Sequence, residues 1–272
     1  MSRLKWLALV AAALFLAGCN PGSPNATPTP VDVRAIMDEA AAVVSDAHSF
    51  RVIIERTGAP VYVDTADTTG AIEFMRAEAE YAAPDRIMAD VKIKIGGLVV
   101  SGDFIAIGTA QYLANPTLTG GNWWKYDFVP GLDPAGILAE NGGLQAALRS
   151  VRDLQLVGVE NRDGVESVHV RGVGDGAEVA NLTLGLIGGG DVEVDAWIGA
   201  QDRRVIRVEV LEPNRPLPEG RSDPPFWTIE LFDYNAPVEI EPPTEFAVPA
   251  ETLTATPPPG LPGRPLPTPS SQ

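Results

Sequence analysis

The sequence has one cysteine in 272 residues, two histidines and little positive charge. A single thiol excludes a disulfide framework, so stability outside a reducing compartment has to come from an ordinary core, which 45% hydrophobic residues can supply. Without a His/Cys cluster, neither a zinc site nor Cys–His catalysis has its ligands or its base. His48 falls at the end of an expected helix, where the helix dipole favours a cation, and His169 takes the outward parity of "VESVHVRG". Both read as structural or surface residues. There is no G-x-S-x-G elbow and no phosphate loop, and the glycines of "GDGAEV" and "GLIGGG" lack the strand-then-helix setting that would make them informative. Carboxylates are plentiful, but they alternate outward along the expected strands instead of converging as a glycoside-hydrolysing pair would. The 36 Asp and Glu against 20 Lys and Arg disfavour a basic-patch mechanism for binding either nucleic acid or anionic lipid headgroups. No enzyme, metal or cofactor is expected, and no solenoid repeat is visible.

The one cysteine has a distinctive setting. Arg3 and Lys5 precede the apolar run "WLALVAAALFLAG", which is followed by polar "CNPGSPN". A run of about a dozen apolar residues is shorter than the roughly 20 of a membrane-spanning helix and has the layout of a secretory signal peptide. Leu16-Ala17-Gly18-Cys19 resembles the bacterial lipobox. That resemblance implies diacylglycerol on the Cys19 sulfur, cleavage just before it, and a lipid anchor. Loss of residues 1–18 leaves 18 basic against 36 acidic residues, a formal charge of −18, so lipid and not charge is expected to hold the chain to its membrane.

Both ends differ from the middle. "NPGSPNATPTP" and the Pro-rich stretch 250–272 cannot bury a core and read as a semi-extended tether and a disordered tail. The expected organisation is a leader over 1–18, a lipidated tether over 19–30, one domain over 31–249 and the tail over 250–272.

The domain opens with an amphipathic helix, Val33, Ile36, Ala40, Val43, Val44 and Ala47 recurring at three and four spacing behind Asp32 as a cap. The period then changes to two. Met75, Ala77, Ala79 and Tyr81 face one way, and Ala89, Val91, Ile93 and Ile95 repeat the pattern with Ile87. Val194, Ala196, Val208 and Ile229 continue it in later segments. One apolar and one wet face indicate antiparallel pairing. "DPAGILAENGGLQAALRSV" is helical on both sides of a glycine break and is expected to pack on the apolar face. "NLTLGLIGGG", with Leu184 and Leu186, is either a flexible hydrophobic flap at an opening or a buried helix end or strand with a glycine turn. The small Ala77, Ala79, Ala89 and Ala196 either leave room for a cavity or let helices pack close.

The order of lipobox, Pro/Thr-rich tether, amphipathic helix and long strands containing "YAAPDRIMADVKI", "GDFIAIGTAQYL", "GNWWKYD" and "DAWIGAQDRRVIRVEV" resembles the LppX/LprG-type (LppX_LprAFG) lipoproteins over about residues 31–248. The LolA/LolB-type carriers are similar in outline. The resemblance implies an α+β fold, a strongly curved antiparallel half-barrel with helices on its concave face. It also implies an apolar cavity holding a lipid or glycolipid, lined by Met75, Ala77, Ala79, Tyr81, Ala89, Val91, Ile93, Ile95, Leu184, Leu186, Val194, Ala196, Val208 and Ile229. The implied location is extracytoplasmic, lipid-anchored to the outer face of the bacterial cytoplasmic membrane, with an envelope exporter or protein as a further partner. The Pro-rich tail and the acidic balance depart from the family pattern and bear most on an anionic lipoglycan as cargo. The competing expectation is a filled half-barrel that displays Trp123, Trp124 and Tyr126 to a protein partner.

Overall fold

The computed structural model describes residues 31–63, 70, 72–126, 132–139, 143–162, 164–183, 185–188 and 190–248. The leader, Cys19, the tether, Leu184 and the tail lie outside these residues. The described part of the domain is a single sheet of twelve strands with three α-helices and one 3-10 helix.

Helix α1 (Val33–Ser45) buries Ile36, Met37, Ala40, Ala41 and Val44, the stripe set by three and four spacing. Strand β1 (Ser49–Thr57) follows, and β2 (Val61–Val63) pairs only with β3 (Ile72–Ala82). From β3 the chain meanders outward through β4 (Arg86–Ile95), β5 (Leu98–Ile107), β6 (Ala110–Ala114) and β7 (Trp123–Tyr126). It then passes through the 3-10 helix Pro134–Leu138 and α2 (Gly143–Ser150) to the opposite edge. There β8 (Arg152–Arg162) begins a second meander that returns through β9 (Val165–Asp175), the short α3 (Gly176–Leu182), β10 (Asp191–Gly199), β11 (Val205–Leu211) and β12 (Phe226–Phe232). Strand β12 pairs with β1, so the spatial order is β7-β6-β5-β4-β3-β1-β12-β11-β10-β9-β8, antiparallel throughout. This α+β half-barrel is the fold implied by the resemblance.

Register decides which side chains share a face. Phe50 lies opposite Tyr81, Val52 opposite Ala79 and Leu231, and Ile54 opposite Ala77 and Ile229. The same face continues through Val208 and Val210 of β11, Val194 and Ala196 of β10, and Val170 of β9. The helices close over this half: Met37, Ala40 and Val44 of α1 and Leu148 of α2 share one core with Phe50, Tyr81, Val170, Val194, Trp227 and Leu231. Close approach at the β8 end depends on Gly172, where an added Cβ would stand 2.6 Å from Val151 Cγ1 and 2.7 Å from the Arg152 carbonyl oxygen.

A second, smaller cluster lies on the opposite, convex face. Ile105 and Tyr112 pack there with Ile240, flanked by Ile107, Trp123 and Val238. The segment after β12 therefore runs back across the first meander. Arg86 donates to the Ile240 carbonyl at 2.7 Å, Phe246 meets Tyr112 edge-on, and Ala247 exchanges two 2.8 Å backbone bonds with Trp123 and Lys125. This pairing covers part of the β7 edge, the kind of exposed backbone that otherwise invites association.

Candidate functional site

The expected lining residues divide into two groups. Tyr81, Val194 and Ala196 are at most 5% exposed and belong to the closed part of the domain, with Ala79 at 8% and Ala89 at 9%. Ala77, Val91, Leu186, Val208 and Ile229 are half-buried and pack against the main core. Of the small residues, Ala79, Ala89 and Ala196 are thus buried, and Ala77 packs against the main core. Met75 departs from its expected place. The β3–β4 register shifts between Phe74 and Arg76, so Met75 occupies a bulge and Phe74, 4% exposed, takes the core position opposite Ile93.

The first meander behaves differently. Ile93 and Ile95 of β4, Val100 and Phe104 of β5, Leu113 of β6 and Trp124 and Tyr126 of β7 are all half-buried. Cross-strand pairing puts them on one face: Ile93 opposite Val100, Ile95 opposite Leu98, Phe104 opposite Leu113, and Leu113 opposite Trp124. None of the inward positions of β3 to β7 carries a charge. Glu73, Arg76, Glu78, Asp90, Lys92, Lys94, Asp103 and Lys125 all take the other parity. The one inward amide, Gln111, is 5% exposed and its Oε1 accepts from the Leu132 backbone at 3.1 Å. An uncharged apolar surface of this kind, beside a closed core against which Ile137 and Leu138 of the 3-10 helix pack, can hold acyl chains.

Trp123, Trp124 and Tyr126 are not a displayed loop. They form strand β7, paired to β6, and Trp123 and Trp124 point to opposite faces. Trp124 stacks on Tyr126 at 5.9 Å on the concave side, while Trp123 packs into the convex cluster. Burial raises the Tyr126 pKa, in keeping with an apolar setting. Tyr81 is pushed up to about 12, first by burial and then by the carboxylates of Asp85 and Asp133, so it stays neutral and its hydroxyl donates to the Pro84 carbonyl at 3.0 Å.

The glycine-rich apolar segment is tied down by groups that sequence reasoning missed. Ile187 is fully buried in the main core. Glu212, 3% exposed, accepts from the Gly188 backbone at 2.7 Å and from Trp227 Nε1 at 2.7 Å, and pairs with Arg215 at 2.9 Å. Arg215 in turn donates to the Leu186 carbonyl at 2.5 Å. Of the two readings for this stretch, the described residues follow the buried one.

The convex side carries polar ladders. His169 stacks on Trp197 at 4.2 Å with Nε2 2.6 Å from Asp195, and the Arg162 guanidinium sits 4.2 Å from the Trp197 ring centre. The outward parity of His169 therefore leads into a packed layer and not to open solvent. A half-open groove of about 370 Å³ nearby is lined by Arg162, Arg204, Arg207, Glu230 and Phe232 among others. Its charged rim, with Arg207 held 2.6 Å from both Glu209 and Glu230, is unlike an acyl-chain site. Among the described residues no group of three or more His, Cys, Asp and Glu side chains could hold a metal ion, and no helix is long and apolar enough to cross a membrane.

Comparison with known proteins agrees with this architecture. A lipoarabinomannan carrier protein LprG of Mycobacteroides abscessus is 26% identical over 251 residues, covering 89% of this chain and 98% of the relative. The LprG of Mycobacterium tuberculosis is 27% identical over 175 residues, or 62% of this chain and 68% of the relative. Among solved structures, LprF from Mycobacterium bovis has a TM-score of 0.59 at 20% identity, covering 77% of this chain and 96% of LprF. The M. tuberculosis lipoprotein LppX has a TM-score of 0.51 at 17% identity, covering 76% of this chain and 97% of LppX. Residues 36–240, which contain the curved sheet and all its helices except the first turn of α1, match the LppX_LprAFG lipoprotein family, and the chain belongs to that family.

Proposed function

We propose that this protein is a membrane-anchored lipoprotein that holds a lipid or glycolipid by its acyl chains against the concave face of β4 to β7 and hands it on within the cell envelope without chemistry. The observation that carries this reading is the uncharged, half-buried apolar face running from Ile93 and Val100 to Trp124 and Tyr126 beside a closed core. Relatives named as lipoarabinomannan carriers support the same class of cargo. In this reading Cys19 carries the anchor, residues 19–30 are the tether, 31–249 the carrier domain and 250–272 a tail. The protein then works on the outer face of the cytoplasmic membrane, and the lining of its cargo site is Ile93, Ile95 and Val91 with Val100, Phe104, Leu113 and Trp124.

Protein purified from its own membranes should yield two kinds of lipid. One is covalent, found by mass spectrometry on the peptide beginning at Cys19, and the other is non-covalent, seen in native spectra and recovered by solvent extraction. Cys19→Ala should lose the first and keep the second, while Phe104→Gln, at a half-buried position of that face, should keep the first and lose most of the second, with circular dichroism checking that it folds. A folded wild type with no extractable lipid that also cannot be loaded with one would refute the carrier reading.

A further inference from the structure

The tip of the β4–β5 hairpin carries Leu98, the most exposed of the large hydrophobic side chains among the described residues. Leu98 is 70% exposed and Val99 54%, beside the Gly96-Gly97 turn. Apolar side chains left in water at a hairpin tip gain nothing unless something covers them.

Three observations specify the cover. The first is charge. The chain has three lysines after its leader, and two of them, Lys92 and Lys94, stand on this hairpin. From Val91 to Gly102 there is no acidic residue, in a protein with 36 of them. The nearest carboxylate, Glu73, is 3.4 Å from Lys94 but is also engaged by Arg56 at 2.5 Å. The tip is thus apolar at its end and cationic just behind, the order in which a bilayer presents acyl chains and then anionic phosphates.

The second is continuity. Leu98 lies opposite Ile95 and shares the inward parity of Val100, Ile93 and Phe104, so one apolar track runs from the exposed tip into the candidate cargo face. The third is where the tether joins. Register places the hairpin at the same end of the strands as the start of β8, through Ile95 with Ile72, Thr57 with Phe226 and Leu211, and Asp191 with Asp175. Arg34, at the start of α1, donates to the carbonyls of Arg149 and Val151 just before β8. The chain therefore enters the domain at the strand end that carries the hairpin. The 14 residues from Cys19 to Asp32 reach at most about 50 Å, so an anchor at Cys19 would keep this end within range of the membrane.

We infer that the β4–β5 hairpin is a membrane-docking tip that inserts Leu98 and Val99 among the acyl chains of an anionic bilayer, with Lys92 and Lys94 at the phosphates, and that cargo passes along the Leu98–Val100–Phe104 track. The second half of this inference rests on the carrier reading; the first does not. Docking by the tip is transient, since two side chains bury little area, and the protein's overall negative charge favours release.

The test uses the mature chain from residue 19 with Cys19→Ser, which removes the acyl anchor and keeps every described core residue. Flotation with vesicles of equimolar phosphatidylcholine and phosphatidylglycerol should recover this protein. Leu98→Asp/Val99→Asp should weaken partition by about tenfold or more, the loss expected from two buried aliphatic side chains. Lys92→Gln/Lys94→Gln should weaken it on these vesicles but not on pure phosphatidylcholine. The same samples are extracted for bound lipid. Unchanged lipid content with lost flotation and slowed vesicle-to-vesicle lipid transfer establishes the tip as a docking element. Lost flotation with no lipid in any sample would sink the carrier reading and leave the docking tip standing. Flotation of the Leu98→Asp/Val99→Asp protein equal to the parent, with both folded by circular dichroism, would overturn the inference.

Discussion

A buried carboxylate, Glu212, holds more of this molecule in place than its position in "LEPNR" would indicate. It accepts the Gly188 amide and the Trp227 indole and faces Arg215, joining the segment 185–188, the end of β11 and the start of β12 at one point. Removing one partner from such a set strands the others in a poorly solvated place. Glu212→Ala should therefore lower stability by about 3 kcal/mol in urea unfolding, while Glu212→Gln, which keeps an acceptor, should cost clearly less. Cleavage between residues 183 and 190 by a dilute protease should accelerate in the alanine protein. The sequence hides this role, because a Glu and an Arg among prolines and asparagine look like a solvated turn until Trp227 and Gly188 are brought to them. Met75 illustrates the complementary difficulty. Parity with Ala77 and Tyr81 is legible, but a single bulge hands the inward place to Phe74, and no local signal marks the extra residue.

The elements themselves were largely legible. Helix α1 and the alternation of β3, β4, β10, β11 and β12 follow from period alone, because each has one face in the core and one in water. Strand β7 was not, since "WWKY" alternates nothing obvious and becomes a strand only by pairing with β6 and with Ala247, far along the chain. Glycine positions on β9 and β8 give a sharp check on how elements approach each other. A Cβ at Gly172 would collide with Val151 and Arg152, whereas one at Gly158 on β8 meets nothing within 4 Å. Gly172→Ala should cost about 1–3 kcal/mol of stability by forcing the α2–β8 junction off β9. Gly158→Ala should be neutral or slightly stabilising through the unfolded chain. Equal effects at the two sites would mean that the junction does not press on β9 in solution.

At the scale of the whole molecule, alternation cannot state strand order. That β12 returns to β1 while β7 and β8 become the edges emerges only from long-range pairing, and with it comes the division of the concave face. Side chains of α1 and α2 share one core with those of β1, β3 and β8 to β12, whereas beyond β3 most of the inward apolar side chains are half-buried. The family resemblance implies a lining along the whole apolar parity, Tyr81 and Val194 included, whereas those two side chains are part of the closed core. The proposed cargo site is accordingly displaced toward β4 to β7. The most direct measurement of that claim is photo-crosslinking of the folded, mature protein with a lipid bearing a diazirine on its acyl chain, mapped by peptide mass spectrometry. Adducts should concentrate on Ile93, Val100, Phe104, Leu113 and Trp124 and be displaced by unlabelled lipid. Adducts confined to the convex face around Trp197 and Arg207, or an even scatter that unlabelled lipid does not displace, would contradict the claim.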